Sequence, residues 1–275
     1  MIEVSVIVPC YNLEKYISDC LDSLVSQTFK SYEVIVIDDG STDSSVNIIQ
    51  KYVDKYPFIR LLKQENQGVV TARNNAISQA KGTYIYNLDG DDVVSEDAIE
   101  KSYLAIVSKK GDIIASQNCD FKDIKNIQLP KKYKFKKPTK FNMLNCCCIM
   151  NSAMYKKSDF ELVGGYDVRF NKGWEDYDFW LNMIVNHNLK IYRINEFLFF
   201  NRVKDKEESR NENAKSFSKD LNAVLYEKYP QIKCVRLIHK ILNVKKLIYQ
   251  KKVTSKGNLV IKIFKIPVYK TKVAK

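Results

Sequence analysis

Tyr84-Ile85-Tyr86-Asn87-Leu88-Asp89-Gly90-Asp91-Asp92 is the stretch that decides the fold of this 275-residue chain. Its first five residues are rich in β-formers and read as a strand. Three carboxylates then fall within four residues, and they repel one another unless a positive charge sits among them. Hard oxygen ligands at this spacing suit Mg²⁺ or Mn²⁺, which in turn hold phosphate oxygens. The same residues also read as a solvated acidic turn before a helix, with Asp92 or Ser95 as its cap. Alone, the motif leaves both readings open.

Working outward, the first half of the chain alternates strand and helix patterns. Val4–Pro9 reads as a strand, and Leu13–Gln27 as a helix with Leu13, Ile17, Cys20, Leu21 and Leu24 on one face. Tyr32–Ile37 is almost wholly apolar, as expected of a strand buried on both faces. Helices follow at Ser44–Lys55 and Val69–Ala80, around a short strand at Ile59–Leu62. Such alternation predicts an α/β fold with a Rossmann-like, mostly parallel central sheet flanked by helices. Ligands of such sheets bind beyond the carboxyl ends of the strands. Three polar clusters lie at those ends: Pro9-Cys10-Tyr11-Asn12, Asp38-Asp39-Gly40-Ser41 and Asp89-Gly90-Asp91-Asp92. Unrelated surface turns have no reason to share one sheet edge, so the coincidence points to a nucleotide site.

Beyond a helix at about Glu96–Lys109 and a strand at Asp112–Gln117 the pattern becomes irregular. Pro130–Lys140 holds six lysines and reads as an exposed loop. Strands are expected at Cys146–Met150, Ala153–Tyr155, Leu189–Ile194 and Phe197–Asn201, with a helix from Trp174 to about Asn188. The consecutive Cys146, Cys147 and Cys148 have poor geometry for a metal or a disulfide framework, and read as small buried residues in a strand. With seven cysteines and two histidines in all, histidine-based zinc chemistry is not expected. A hydrophobic content of 45% says globular rather than disordered. With a first strand expected from Val4, a signal peptide is not expected.

The net charge of +13 is concentrated at one end. Residues 228–275 contain fourteen Lys or Arg and no Asp or Glu, whereas residues 1–227 carry 31 basic against 32 acidic residues. From Ile232 to Ile248 the apolar residues Ile232, Val235, Ile238, Ile241 and Leu242 share a face, with lysines mostly elsewhere. A basic amphipathic helix of this kind lies on anionic lipid. It equally suits a solvated helix packed on the domain with its lysines outward. Leu259–Phe264 reads as a shallow insertion or an edge strand. Nucleic acid also attracts basic tails, yet no base-reading module is present.

In order and spacing, the chain from Val4 to about Arg210 resembles the family-2 glycosyltransferases of the GT-A fold. The resemblance rests on Val-Ser-Val-Ile-Val-Pro-Cys-Tyr-Asn (4–12), Val-Ile-Val-Ile-Asp-Asp-Gly-Ser-Thr-Asp (34–43) and Glu-Asn-Gln-Gly (65–68). Ala-Arg-Asn (72–74), Leu-Asp-Gly-Asp-Asp (88–92), Gly-Gly-Tyr-Asp (164–167) and Trp-Glu-Asp (174–176) complete it. Each motif is short, and their order makes the signal specific.

The resemblance implies that residues 1–110 form a nucleotide-sugar-binding half and 111–210 an acceptor-binding and catalytic half. Residues 211–275 lie outside the resemblance and are expected, from their own charge pattern, to be a basic, membrane-associating helical extension. Pro9, Tyr11 and Asn12 are expected to line the nucleotide pocket, and Asp38 and Asp39 to hydrogen-bond base or ribose. Asp38 and Asp39 read equally as a strand-ending turn with Gly40. Gly68 allows a close helix approach; Arg73 reaches a phosphate or the base, or is an ordinary surface residue. Asp91 is the expected metal ligand, with Asp89 on metal or ribose, Gly90 between them, and Mn²⁺ or Mg²⁺ as the cofactor. Asp176 is the expected base, Glu175 its helper, Trp174 a sugar-stacking or a core residue, and Asp178 a weaker alternative base. The competing reading of these acids is a helix N-terminus complementing its dipole. Arg202, in Phe-Asn-Arg-Val (200–203), matches a diphosphate contact, and Lys204 stands where a histidine is common.

The function implied is an inverting transfer of a hexose or aminosugar from a nucleotide-diphosphate sugar, with UDP the expected carrier. The acceptor is expected to be a lipid-linked saccharide in bacterial surface polysaccharide synthesis, at the cytoplasmic face of the membrane. A nucleotidyltransferase would want a Gly- and Lys/Arg-rich phosphate loop after the first strand, which Pro9-Cys10-Tyr11-Asn12 is not. A catalytically silent nucleotide-sugar or membrane-binding module has no need of Asp89, Asp91 and Asp176.

Overall fold

The computed structural model describes residues 2–130, 136–204 and 217–238, and the backbone alone of 250–253, 258–263 and 266–272. The chain divides into two compact units, Met1–Val224 and Leu225–Lys275.

The first unit is built on strands whose residues have no polar face to offer water. Every residue of β1 (Val4–Cys10) is buried, and the same holds for β2 (Tyr32–Asp38). Such strands fit only the interior of a sheet covered on both sides. Between them, α1 (Ile17–Val25) buries Ile17, Cys20, Leu21 and Leu24, an i, i+3, i+4, i+7 stripe. This helix is shorter than the expected Leu13–Gln27. The N–H groups of Asn12, Leu13 and Glu14 are used elsewhere, donating to the side chains of Ser41, Ser45 and Asp43. The elements α2 (Ser45–Lys55), β3 (Ile59–Lys63), α3 (Val69–Ser78) and β4 (Tyr84–Asn87) then follow, close to their expected bounds.

Next come β5 (Val93–Val94), α4 (Ala98–Val107), β6 (Ile113–Phe121), α5 (Lys140–Asn145), β7 (Ala153–Lys156) and α6 (Lys157–Val163). Helix α7 (Glu175–Leu181) continues as a π-helical turn, Asn182–Asn186, before β8 (Ile191–Arg202). The eight strands form one mixed sheet in the order β3-β2-β1-β4-β7-β6-β8-β5. β3, β2, β1 and β4 are mutually parallel; β7 runs antiparallel to both β4 and β6, and β5 antiparallel to β8. From β1 the chain winds outward to β2 and β3, then returns to the other side of β1 as β4. That reversal makes the carboxyl ends of β1 and β4 the switch point at which open α/β sheets take ligands.

Three local expectations are corrected. Residues 146–150 form no strand. The chain turns there after α5, and its thiols bond locally, Cys147 Sγ to the Ile149 carbonyl at 3.0 Å and Cys148 Sγ to that of Cys146 at 3.3 Å. Only Cys148 of the three is fully buried. The two strands expected at 189–201 are one, β8, whose pairing with β6 shifts register opposite Ser116–Asn118 and so absorbs the break at Asn195-Glu196.

In the second unit the C-terminal extension is not helical throughout. Helix α8 (Ser218–Lys228) runs across the division, and residues 231–238 are helical. Ile232 and Val235 are buried, whereas Leu237 and Ile238 are exposed. The rest of the expected helix, 239–248, lies outside the described residues, as do 131–135 of the lysine-rich loop. Strands β9 (Gln250–Val253), β10 (Asn258–Ile263) and β11 (Ile266–Lys272) form an antiparallel sheet with β10 in the middle. Leu259–Ile263 is therefore a central strand rather than an edge or an inserting segment, as β-branched residues on a pleated ladder favour.

Candidate active site

The polar clusters at the sheet edge are first of all bound to one another. Asn12, in the left-handed region at φ 52°, accepts from the Thr42 N–H at 2.8 Å. Its own N–H donates to Ser41 Oγ at 2.9 Å. Glu14 accepts from the Ser44 N–H at 2.9 Å. The loops after β1 and β2 are thereby locked together, and Tyr11, 48% exposed, projects from the lip they form. Pro9 is buried at the end of β1. Asp38 accepts from the Ser41 N–H at 3.2 Å, which is the strand-ending turn read from sequence.

Asp39 does more than end a strand. It is buried, and accepts from Gln64 Nε2, Gln67 N and Gly68 N at 2.7, 2.9 and 2.8 Å. Its carboxylate therefore fixes the loop that leads into α3. Gly68 has φ 87°, and a Cβ there would lie 2.1 Å from the Asn171 side chain. Only glycine admits both this conformation and this approach.

Helix α3 carries Arg73, which is 2% exposed. One guanidinium nitrogen meets Asp89 Oδ1 at 2.5 Å and the other Glu175 Oε1 at 3.0 Å. Burial alone disfavours its charge, and the Asp89 and Glu175 carboxylates outweigh that, leaving its pKa above the ordinary arginine value. The fork of a guanidinium is what allows one side chain to hold two carboxylates. The Tyr166 ring lies under it at 5.6 Å and stacks on Phe179 at 4.1 Å. Tyr166 also accepts from Asn87 at 2.7 Å through its hydroxyl, so the Gly-Gly-Tyr-Asp motif is seated on the end of β4. Arg73 thus joins two acidic segments, the turn after β4 and the start of α7, that lie far apart in sequence.

Asp176 follows Glu175 at that start. It retains partial exposure. Desolvation nonetheless raises its pKa to about 6, with repulsion from Glu175 adding and Arg73 opposing. Asp178, on the same helix, is 2% exposed, less accessible than Asp176. Trp174 caps the helix at φ 62° and is half-buried.

The other side of the acidic turn is held by the end of β8. Arg202 donates its backbone N–H to Asp92 at 2.7 Å, its Nε to the Asp91 carbonyl at 2.8 Å and a terminal nitrogen to Asp19 at 2.7 Å. Its guanidinium also lies over Phe121 at 4.5 Å and Tyr16 at 5.0 Å. Lys204 meets Asp91 Oδ2 at 2.6 Å. Asp92 is buried, and desolvation with repulsion from Asp91 and Asp89 raises its pKa well above its ordinary value. Gly90 lets the turn lie close against β1, since a Cβ there would be 2.9 Å from both the Pro9 carbonyl and the Leu13 side chain.

The sheet thus gathers Asp89, Arg73, Glu175 and Asp176 on one side of the turn, and Asp91, Arg202 and Lys204 on the other. Asn151 was not anticipated: it is buried and donates to Asp89 Oδ1 at 3.1 Å, while its Oδ1 finds no partner among the described residues. Asp19 and Tyr16, the partners of Arg202, also went unread, because α1 shows only an apolar pattern around them.

Among the described residues no three His, Cys, Asp or Glu side chains form a closed metal site. Mg²⁺ and Mn²⁺ require less, namely one or two carboxylates completed by phosphate oxygens and water. Asp89 and Asp91 keep side-chain exposures of 33% and 18%, whereas Asp92 is buried. Their hard oxygens fit such an ion.

Residues 5–164 match the model of glycosyl transferase family 2. Glycosyltransferase GlyA of Streptococcus pneumoniae is 37% identical over 121 residues, covering 44% of this chain and 17% of that protein. An Escherichia coli chondroitin synthase is 41% identical over 97 residues, covering 35% of this chain and 14% of that protein. The chain therefore spans less than a fifth of the length of these two relatives. Among solved structures, S. aureus TarS 1-349 in complex with UDP-GlcNAc is similar, with a TM-score of 0.62 at 25% identity over 74% of this chain and 59% of that one. By its eight-stranded sheet, its ordered motifs and the extent of the matched segment, the chain belongs to glycosyl transferase family 2.

Proposed function

We propose that this chain carries out an inverting transfer of a hexose or aminosugar from a UDP-sugar to a saccharide acceptor. The observation that carries the reading is the Arg73 bridge, which couples the acidic turn at Asp89 to Glu175 beside Asp176. A group that handles a nucleotide diphosphate and a group able to take a proton thereby face one site. Similarity to a UDP-GlcNAc complex supports UDP as the carrier. Relation to a chondroitin synthase supports a saccharide acceptor in surface polysaccharide synthesis.

In this reading an acceptor hydroxyl attacks the anomeric carbon from the face opposite the diphosphate. The new glycosidic C–O bond forms as the bond from that carbon to the diphosphate oxygen breaks, and Asp176 takes the hydroxyl proton. With a pKa of about 6, Asp176 is mostly ionised at neutral pH yet more basic than an ordinary carboxylate. Glu175, held by Arg73, orients the helix start. Asp91 and Asp89 would hold Mn²⁺ or Mg²⁺, whose charge stabilises the departing diphosphate. Pro9, Tyr11, Asn12 and Asp38 line the nucleotide end, with Asp39 acting chiefly through the 64–68 loop that it fixes.

The fourteen basic residues of 228–275 suit an anionic membrane surface, and with it a lipid-linked acceptor at the cytoplasmic face. No helix among the described residues is long and apolar enough to cross a membrane.

The test is transfer from a panel of nucleotide sugars to saccharide acceptors, following nucleotide release and product together. Asp176→Asn should lose about 10²–10⁴-fold in kcat with donor binding retained. Full transfer by that variant would refute the assignment of the base.

A further inference from the structure

Asp91 already carries a cation in this protein. Its Oδ2 already holds the Lys204 ammonium at 2.6 Å, in a pair whose side chains are both 18% exposed. Lys204 lies two residues beyond Arg202, and both side chains reach the acidic turn. Arg202 takes the Asp91 carbonyl and Asp19, and Lys204 takes the Asp91 carboxylate. The two cations also share the Tyr16 ring, at 5.0 and 5.8 Å from its centre.

We propose that Lys204 is a built-in competitor of the divalent cation for Asp91, which yields that carboxylate when a nucleotide diphosphate supplies the ammonium with another anion. The inference rests on the proposed function for its nucleotide and on Asp91 as a metal ligand. An ammonium and a divalent cation drawn to one carboxylate repel each other and share the same negative charge, so each weakens the other's binding there. Leaving Asp91 strands the ammonium in a partly desolvated site beside the Arg202 guanidinium, and the neighbouring carboxylate of Asp19 is already bonded to Arg202. Metal binding without nucleotide is therefore opposed by the loss of this pair. Once a diphosphate is present, its oxygens can receive both the metal and the displaced ammonium. Metal and nucleotide then strengthen one another's binding by the same factor, as linkage demands. Lys204 makes that factor larger than the shared phosphate contacts alone would.

The test measures free Mn²⁺ by electron paramagnetic resonance in titrations of the full chain, with and without saturating UDP. Wild type, Lys204→Met and Asp91→Asn are compared, and calorimetry reports UDP binding. Wild type should bind Mn²⁺ weakly alone and at least about tenfold more tightly with UDP, within the usual range of coupling. Lys204→Met should bind Mn²⁺ alone about tenfold more tightly than wild type, and should gain less from UDP. Asp91→Asn should lose Mn²⁺ binding. The Mn²⁺-only arm does not depend on the nucleotide. A tenfold gain in Lys204→Met, with neither protein responding to UDP, would keep the competition and overturn the nucleotide reading. Equal or weaker Mn²⁺ binding by Lys204→Met, with UDP binding intact, would overturn the competition and keep the nucleotide reading.

Discussion

Arg73→Met removes the cation that joins the two acidic segments while keeping much of the side chain's volume. Arg73 is 2% exposed and its partner Glu175 is 8% exposed, so the variant leaves a buried carboxylate without its counter-charge. Breaking a buried pair from one side costs about 3–5 kcal/mol. Asp89 adds little to that figure, because its side chain is 33% exposed and water can take over. For a unit of this size a loss of that order lowers Tm by about 10 °C. The pH dependence gives a second, independent sign. Asp176 already has a folded-state pKa of about 6 against an ordinary 3.8, with Arg73 among the groups holding it down. A raised carboxyl pKa leaves stability intact below about 4 and removes it as pH rises through the folded value. Without Arg73 that window extends above 6, so the variant's deficit should grow between pH 5 and 8 and shrink in acid. Urea unfolding of both proteins across that range measures it, and Arg73→Lys should recover only part, since one ammonium lacks the fork. A deficit under about 1 kcal/mol at pH 7, or one independent of pH, would refute the bridge as the element that holds the site together.

The remaining expectations are shorter. Transfer activity in kcat/KM should rise with pH through about 6 as Asp176 loses its proton, and an acid limb that stays at the same pH in Asp176→Asn would show that another group titrates. Gly68→Ala, forced into φ 87° against Asn171, should destabilise by more than about 1 kcal/mol, and unchanged thermal unfolding would contradict that geometry. Replacing Lys245 and Lys246 by Gln in the full chain should weaken binding to vesicles containing anionic lipid by about tenfold or more; equal flotation of the two proteins would remove the membrane role.

The strands that carry the fold were legible because their chemistry favours one environment: β1 and β2 are almost wholly apolar, and both are buried throughout. The acidic turn after β4 was legible as a cluster, since three like charges in four residues demand a counter-charge wherever they lie. What supplies that charge was not, because Arg73, Arg202 and Lys204 approach from three directions that only the tertiary fold defines. Asp39 shows the same limit from the other side. A carboxylate at a strand end reads alike whether it faces a ligand or, as here, takes three donors from the loop before α3. In the tail, residues expected to belong to a helical extension form the strands β9, β10 and β11, while 231–238 are helical as read. Arg73 did leave a local trace. Val70, Arg73 and Ile77 fall on one stripe of α3, at i, i+3 and i+7, and all three are buried. An arginine in the buried stripe of a helix does not stay there unpaired, so once buried its position calls for acceptors from another part of the chain. Arg73 draws one carboxylate from the cluster at 89–92 and one from that at 175–178. The bridge that unites the site is thus the consequence of one charged residue set among apolar ones.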